Sequence, residues 1–312
     1  MSSADAAARA RGENPTLGAA EFGLLAVLSF AWGTSFMFSK IAVEALPPFT
    51  LIALRTLIAS SILLCFLAAR RRLPRLSRRD IAAFVLVGLM SNAAPLCFIS
   101  TSVMYVDSSV TATALALVPV ITVIFGMFRG VYPTVRALFG VFVGLAGIVV
   151  LFGLDAFASF GDDMRGLLAA MGAAITFSAS LFVVSLVRHH NSVTVATYSL
   201  TSAAIWTMTA ALLFDGVPQT LPSPGILGAL LVLALWNTAA GSLLLFITVS
   251  RAGPAVTSYN NYLVPAVAVG CGTIFLGEPL TLQSAAGVIL VLTGVAISTI
   301  RPRPASAVPP PG

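Results

Sequence analysis

Residues 253–300 read GPAVTSYNNYLVPAVAVGCGTIFLGEPLTLQSAAGVILVLTGVAISTI. Two apolar helices joined by a tight Gly-Glu-Pro turn are expected here. The first carries a mid-run proline, Pro265, and the second a glycine pair, Gly287 and Gly294. A near copy occupies residues 107–151, DSSVTATALALVPVITVIFGMFRGVYPTVRALFGVFVGLAGIVVL. Pro119 answers Pro265, Phe128 answers Phe275, and Gly140 and Gly147 answer Gly287 and Gly294, once a single residue is inserted between proline and turn. The chain is read as an internal duplication, and everything else is placed around that.

Working outward, the 312 residues are 58% hydrophobic and only 9% charged. A soluble domain is about a quarter charged, so this chain cannot clothe a soluble surface. Continuous rather than alternating apolar runs exclude a β-barrel and indicate an all-α polytopic membrane protein. At roughly twenty residues per crossing, about ten transmembrane helices are expected: Phe22–Val43, Thr50–Ala69, Ile81–Val103, Ser108–Phe128, Val135–Leu154, Gly166–Val187, Val193–Phe214, Ile226–Val249, Pro254–Leu276 and Leu280–Ile300. The first run is too long for a signal-peptide core and is read as a retained helix. Cys65, Cys97 and Cys271 all fall inside spans without ligand spacing and are read as buried packing thiols.

The net charge of +6 reports topology, not nucleic-acid binding. RRRLPRLSRRD follows the second helix, and Arg129, Arg136, Arg188, Arg251, Arg301 and Arg303 fall on the same side of the expected membrane. The opposite loops carry Glu44, Asp107, Asp155, Asp162, Asp163, Asp215 and Glu278. The bias places both termini in the cytoplasm of a cell membrane, most simply that of a bacterium. Five helices per half is an odd number, so the second half enters the membrane upside down. Such a five-plus-five inverted repeat typically holds a midplane site between its halves and alternates access to it, which makes the expected activity that of a carrier.

The expected parts are a disordered cytoplasmic tail over 1–20, a first five-helix repeat over 21–154 and an extracytoplasmic linker over 155–165. A second repeat over 166–300 and a Pro-rich cytoplasmic tail over 301–312 follow. The order of motifs resembles that of the EamA-type families of the drug/metabolite transporter superfamily, over about Phe22 to Ile300. SFAWGTSFMFSKIA places Trp32, Gly33, Thr34, Ser35 and Lys40 as in that family's first helix, and LPPFTLIALRTLIA places its arginine at Arg55. GEPLTLQSAAGVILVLTGV is similar to its Gly-Glu turn and glycine-rich last helix, whereas the first-half turn, RGVYP, has Val131 where the second has Glu278. The resemblance implies ten helices in an inverted repeat and export or exchange of small metabolites, often amino acids or related compounds.

The residues themselves supply candidates. Pro119 and Pro265 would each free the carbonyl four residues back, that of Leu115 and that of Asn261, and are read as hinges or as packing kinks. Ser258, Tyr259, Asn260, Asn261 and Tyr262 form a polar cluster ahead of Pro265 that either contacts substrate or bonds neighbouring helices. Trp32, Ser35, Phe36 and Ser39 share a face of the first helix, with Phe177, Ser180 and Leu181 as its mates in the second half. Asn92, and Trp236 with Asn237, are further cavity candidates. Lys40 and Arg55 either snorkel or ion-pair as structure, or meet a substrate carboxylate or Glu44. Gly140 with Gly144 makes a GxxxG face, with Gly287 and Gly294 its relaxed counterpart, read as letting the fifth and tenth helices pack closely against neighbours or each other. His189 and His190 beside Arg188 are read as a solvated loop, so no metal site is expected.

No acidic residue stands near the middle of any expected helix, with Glu278 and Asp107 at helix ends. That argues against cation–proton antiport and for a neutral or zwitterionic solute. No Gly-rich Lys-Ser/Thr phosphate loop is present, and no facing His, Asp, Glu or Cys cluster suggests an enzyme, so neither ATP drive nor a cofactor is expected. The leading expectation is a secondary transporter that exports or exchanges a small metabolite. A multidrug or purine/nucleoside exporter is the alternative within that fold, and a membrane scaffold or lipid scramblase the alternative outside it. Expected partners are a small-molecule substrate and membrane lipids, with a homodimer left open.

Overall fold

Helix ends fall where the sequence supplies the stereochemistry for them. The computed structural model describes residues 19–42, 45–71, 73–105, 115, 117–130, 132–152, 164–216, 222–276 and 282–299, and no strand occurs among them. The helices are α1 (Ala19–Ala42), α2 (Pro48–Ala69), α3 (Arg78–Tyr105), α4 (Val118–Phe128), α5 (Val135–Phe152), α6 (Met164–Val183, ending in a 3-10 turn Val184–Val187), α7 (Ser192–Phe214), α8 (Pro224–Ser258), α9 (Asn260–Leu276) and α10 (Leu282–Thr299). Pro48 and Pro224 open α2 and α8, where a missing N–H costs nothing. Ser77 and Asp80 cap α3 reciprocally, and the Asn191 side chain accepts from the Thr194 N–H at the start of α7.

Large apolar side chains cover the outside as well as the core, and many hydroxyls are buried. Phe128, Phe139, Phe142 and Leu213 are exposed, whereas Thr56, Ser178, Thr197, Thr207 and Thr248 are fully buried. These hydroxyls mostly donate to a carbonyl one turn back, which satisfies them without water. Five helical runs are long and apolar enough to cross a membrane: Ala19–Ser39, Pro48–Ala69, Arg78–Ser102, Met164–Val187 and Pro224–Ser258. Val118–Phe128, Val135–Gly147 and Ala285–Gly294 are shorter apolar helices. This is a polytopic α-helical membrane protein. α7, expected as a span at Val193–Phe214, is not among the five. Its many Ser and Thr residues dilute its hydropathy, and it buries them against α2 and α3.

Two helices carry π-helical turns at matched places. α3 widens over Leu89–Ala93 and α8 over Leu233–Ala240. In α3 the cause is Pro95, which cannot donate to the carbonyl of residue 91 and crowds it. In α8, the Thr238 hydroxyl donates to the Leu233 carbonyl at 2.8 Å, filling the widened turn. The helical run Gly241–Ser258 breaks at Gly253, with φ 83° and ψ 170°, and restarts at Pro254. That break is where the eighth and ninth spans were expected to part.

Helix pairing repeats between the halves. α5 packs on α10, and α2 on its counterpart α7. α1 packs on α9 and α8, as α6 packs on α4 and α3. The counterpart pairs are antiparallel. Asp215, at the end of α7, accepts from the N–H and hydroxyl of Thr50, at the start of α2, at 2.6 and 3.0 Å. Arg136, at the start of α5, donates from Nε to the Ile297 carbonyl near the end of α10, at 3.0 Å.

Small residues set the closest approaches. A Cβ on Gly294 would lie 2.7 Å from the Gly140 carbonyl oxygen and from the Gly144 Cα, so the GxxxG face of α5 receives α10 directly. One expectation about thiols changes: Cys271 is buried, but Cys65 is exposed. It shares the outward part of α2 with Ile62 and Phe66. Residues 1–18 and 301–312 of the expected tails, the 155–163 part of the linker, Asp107 and Glu278 lie outside the described residues, while Ala19 and Ala20, expected in the tail, already belong to α1.

Candidate functional site

An amide in a helix interior has four bonds to satisfy and nowhere wet to satisfy them. The π turns place one such amide each: Asn92 in α3 and Asn237 in α8, both buried. The offset that pairs Trp32 with Phe177 also pairs Asn92 with Asn237. Trp32 and Phe177 touch, ring centroids 5.5 Å apart and nearly edge-to-face. The contact joins the two halves of the chain. Each π turn packs against the first two helices of the other half: Leu89–Ala93 on α6 and α7, Leu233–Ala240 on α1 and α2.

The bonds around this centre are incomplete. The Ser242 hydroxyl donates to Asn92 Oδ1 at 3.2 Å, and Asn92 Nδ2 has no partner. Asn237 Nδ2 donates to the Ala31 carbonyl and, at 3.0 Å, to Thr34 Oγ1, while Asn237 Oδ1 has none. A carbonyl can only accept, so the orientation of the Asn237 amide is fixed. Ser91 Oγ and Thr122 Oγ1 are likewise buried and unpartnered. Each orphaned polar group costs about 1–3 kcal/mol unless water or a ligand completes it. Trp32 is half-buried, and a Cβ on Gly241 would come within 2.7 Å of its Nε1. Ser242 follows directly, which puts the Trp32 indole and the Asn92 amide at one level of α8.

The cluster before Pro265 divides. Tyr262 is fully buried, donates to the Val141 carbonyl at 3.2 Å and lies over Gly144, which ties α9 to α5. Tyr259 stacks on it, centroids 6.5 Å apart. Asn260 turns the other way, to α1, where its Oδ1 takes the Ser29 hydroxyl at 2.8 Å and its Nδ2 is unpartnered. Asn261 is half-buried and donates to the Ser258 carbonyl at 3.2 Å. So α9 presents its polar residues to two different neighbours rather than to one place.

The prolines differ in setting. Pro265 lies inside α9. Pro119 stands in the first turn of the described helix α4, and Leu115, one turn back, is helical as well. Residues 106–114 and 116 lie outside the described residues. The carbonyl preceding each proline meets the first helix of the other half: Ser178 Oγ donates to the Val118 carbonyl at 3.1 Å, and Gly33, its counterpart, faces the Val264 carbonyl.

Arg55 is 8% exposed and does not snorkel. Its Nε donates to Thr238 Oγ1 at 2.8 Å, across the halves and onto the π turn of α8. No carboxylate pairs with it among the described residues. Ser35 is half-buried, and the side chain of Lys40 lies outside the described part, as does Glu278. Sequence reasoning missed Ser242, Ser91 and Thr238. Their signal was proximity to a π turn, and hydrophobic periodicity does not show π turns.

The chain was compared with known proteins. The EamA-like transporter family matches residues 21–153 and again 164–300. Over 291 residues the chain is 25% identical to the uncharacterized transporter YvbV of Bacillus subtilis (strain 168), covering 88% of this chain and 90% of that protein. Over 262 residues it is 26% identical to the uncharacterized inner membrane transporter YedA of Escherichia coli (strain K12), covering 83% and 84%. A solved crystal structure of a protein shares the fold, with TM-score 0.75 and 20% identity over 91% of this chain and 97% of that one. With the family matched once in each half and apolar helices long enough to cross a bilayer, the chain belongs to the EamA-like transporter family and is a multi-pass membrane transporter.

Proposed function

We propose that this transporter is a secondary carrier of the cell membrane that exports or exchanges a small neutral or zwitterionic metabolite, an amino acid or a relative, by alternating access. The observation that carries the reading is the pair of buried amides, Asn92 and Asn237, each with one unpartnered polar atom, on matched π turns beside the Trp32–Phe177 contact. Groups of this kind bind a solute that both donates and accepts hydrogen bonds, with uncharged partners. Arg55, buried beside the π turn of α8, is a positive charge that could meet a substrate carboxylate.

The mechanism follows from the packing. Antiparallel counterpart helices support a five-plus-five inverted repeat and hence two mouths of opposite facing, and the placement of the arginines favours ten spans with both termini cytoplasmic. The π turns are the pliable points of α3 and α8, since a widened turn can re-close with little loss of hydrogen bonding. Rocking of α3 and α8 against the other half's first two helices would open one mouth as it shuts the other. The described acidic residues, Glu21, Asp80 and Asp215, all stand at helix ends, which favours exchange or uniport over a carboxylate-driven cation antiport. Asn260 and Pro265 would move with α9, and Tyr262 would hold that helix to α5.

Counterflow in proteoliposomes with a panel of labelled amino acids tests the reading. Saturable, protein-dependent exchange of one of them is expected, with Asn92→Ala and Asn237→Ala each lowering it at least about tenfold, the equivalent of one lost charge-free hydrogen bond, at normal protein levels. Silence towards amino acids but exchange of nucleobases or cationic drugs would replace the substrate class. Undiminished exchange in both variants would remove the π-turn site.

A further inference from the structure

A metal ion needs lone pairs that converge, and one place at an end of the bundle supplies them. Asp80 uses its two carboxylate oxygens differently. Oδ2 accepts from the Ser77 N–H at 2.9 Å and from the Ser77 hydroxyl at 2.7 Å, and the Asp80 N–H donates back to Ser77 Oγ at 3.1 Å. The cap therefore locks the carboxylate and leaves Oδ1 for other work. Oδ1 meets the connection between α6 and α7: His189 Nε2 lies 2.8 Å away and His190 Nε2 3.2 Å away. The second contact is out of line for a hydrogen bond, and His190 Nε2 is a buried nitrogen with no hydrogen-bonding partner. The imidazoles pack against each other with their planes tilted by 42°, centroids 4.2 Å apart, and Phe84 backs His190 at 5.3 Å. All three ligating atoms fall within 4.8 Å of one another, and no other such group of three occurs among the described residues.

Zinc bonds of about 2.0–2.1 Å to nitrogen and oxygen in a tetrahedron separate neighbouring ligand atoms by about 3.3 Å. The two carboxylate–imidazole distances, 2.8 and 3.2 Å, lie near that edge, and the two nitrogens are within 4.8 Å of each other, so side-chain movement within the cluster would complete the arrangement. His189 is 57% exposed at its side chain, which leaves the fourth position to water. Ser77 orients Asp80 from behind, as outer partners of metal ligands do.

We propose that Asp80, His189 and His190 bind one divalent transition-metal ion of the zinc class, with water as fourth ligand, tying the first turn of α3 to the α6–α7 connection. An ion there joins the two halves at one mouth, independently of any substrate site. The competing account is a plain hydrogen-bonded staple, in which Asp80 holds the imidazoles and no ion enters.

The test uses the full chain, untagged or with its tag removed, in detergent after chelator treatment. Zn²⁺ is titrated against a chromophoric chelator, and Co²⁺ is followed by visible absorption. One ion per chain is expected, with the intense ligand-field band of four-coordinate Co²⁺. His190→Gln and His189→Gln should each abolish the band, and Ser77→Ala should weaken binding about tenfold or more. Thermal unfolding without metal establishes that each variant is folded; His189, being exposed, is the safest. Stoichiometry and affinity unchanged in the His189→Gln/His190→Gln double variant, or no uptake above it, would overturn the site and leave the staple.

Discussion

At the scale of single residues, the chain uses absence of a side chain as its contact device. Gly294 sits on the Gly140 carbonyl and the Gly144 Cα, and Gly147 would push a Cβ to 2.5 Å from the Val291 amide nitrogen. These partners are backbone and cannot yield. Gly294→Val is therefore expected to destabilise the protein by about 1–3 kcal/mol, the usual cost of overpacking, read as a lower unfolding midpoint in detergent. Gly228→Ala, with no atom within 4 Å of the new Cβ, should leave the midpoint unchanged or raise it. An equal effect of the two would refute the packing account. The glycine face of α5 was legible because spacing alone brings Gly140 and Gly144 to one side of a helix. Tyr262 was not legible in the same way: a buried phenol beside a proline looks like a ligand contact until Val141 appears beneath it.

At the scale of elements, breaks matter more than spans. Gly253 breaks the helical run in a backbone region, φ 83° and ψ 170°, that essentially only glycine occupies. Gly253→Ala meets no steric neighbour, so its cost is purely conformational. It should amount to about 1–3 kcal/mol, and the unfolding midpoint checks it against Gly228→Ala, which carries the same added methyl in an ordinary helix. The break itself was readable from Arg-Ala-Gly-Pro at a point where two apolar runs meet. The π turns were not. Pro95 marks one of them, but nothing in α8 announces the other, which rests on Thr238 filling the turn and on packing against α1 and α2.

At the scale of the whole molecule, the antiparallel packing of α2 on α7 and of α5 on α10 fixes which ends share a side. Ser77, before α3, and Ser223, before α8, start helices that are counterparts in the two halves, and should lie on opposite faces. Ser77→Cys and Ser223→Cys, in a chain with Cys65, Cys97 and Cys271 replaced by Ala, are expected to react with a membrane-impermeant maleimide from opposite sides. Labelling of both from one side would end the inverted arrangement and the two-mouthed mechanism with it.

The amino-acid sequence by itself determined the solvent, the duplication and the family. Those depend on composition and on the order of apolar runs, which are additive along the chain. It also placed Asn92, Asn237 and Arg55 among the candidates, because polar groups are conspicuous where so few are tolerated. Only the tertiary structure decided which of them come together: Trp32 against Phe177, Arg55 on Thr238, Asn260 turned to Ser29 and Tyr262 to Val141. It alone brought His189 and His190, read as a solvated loop, onto Asp80 from more than a hundred residues away. The reason is that a partner in a helical bundle is set by which faces meet across the halves. A face is defined by three-dimensional packing, to which spacing along one chain is blind.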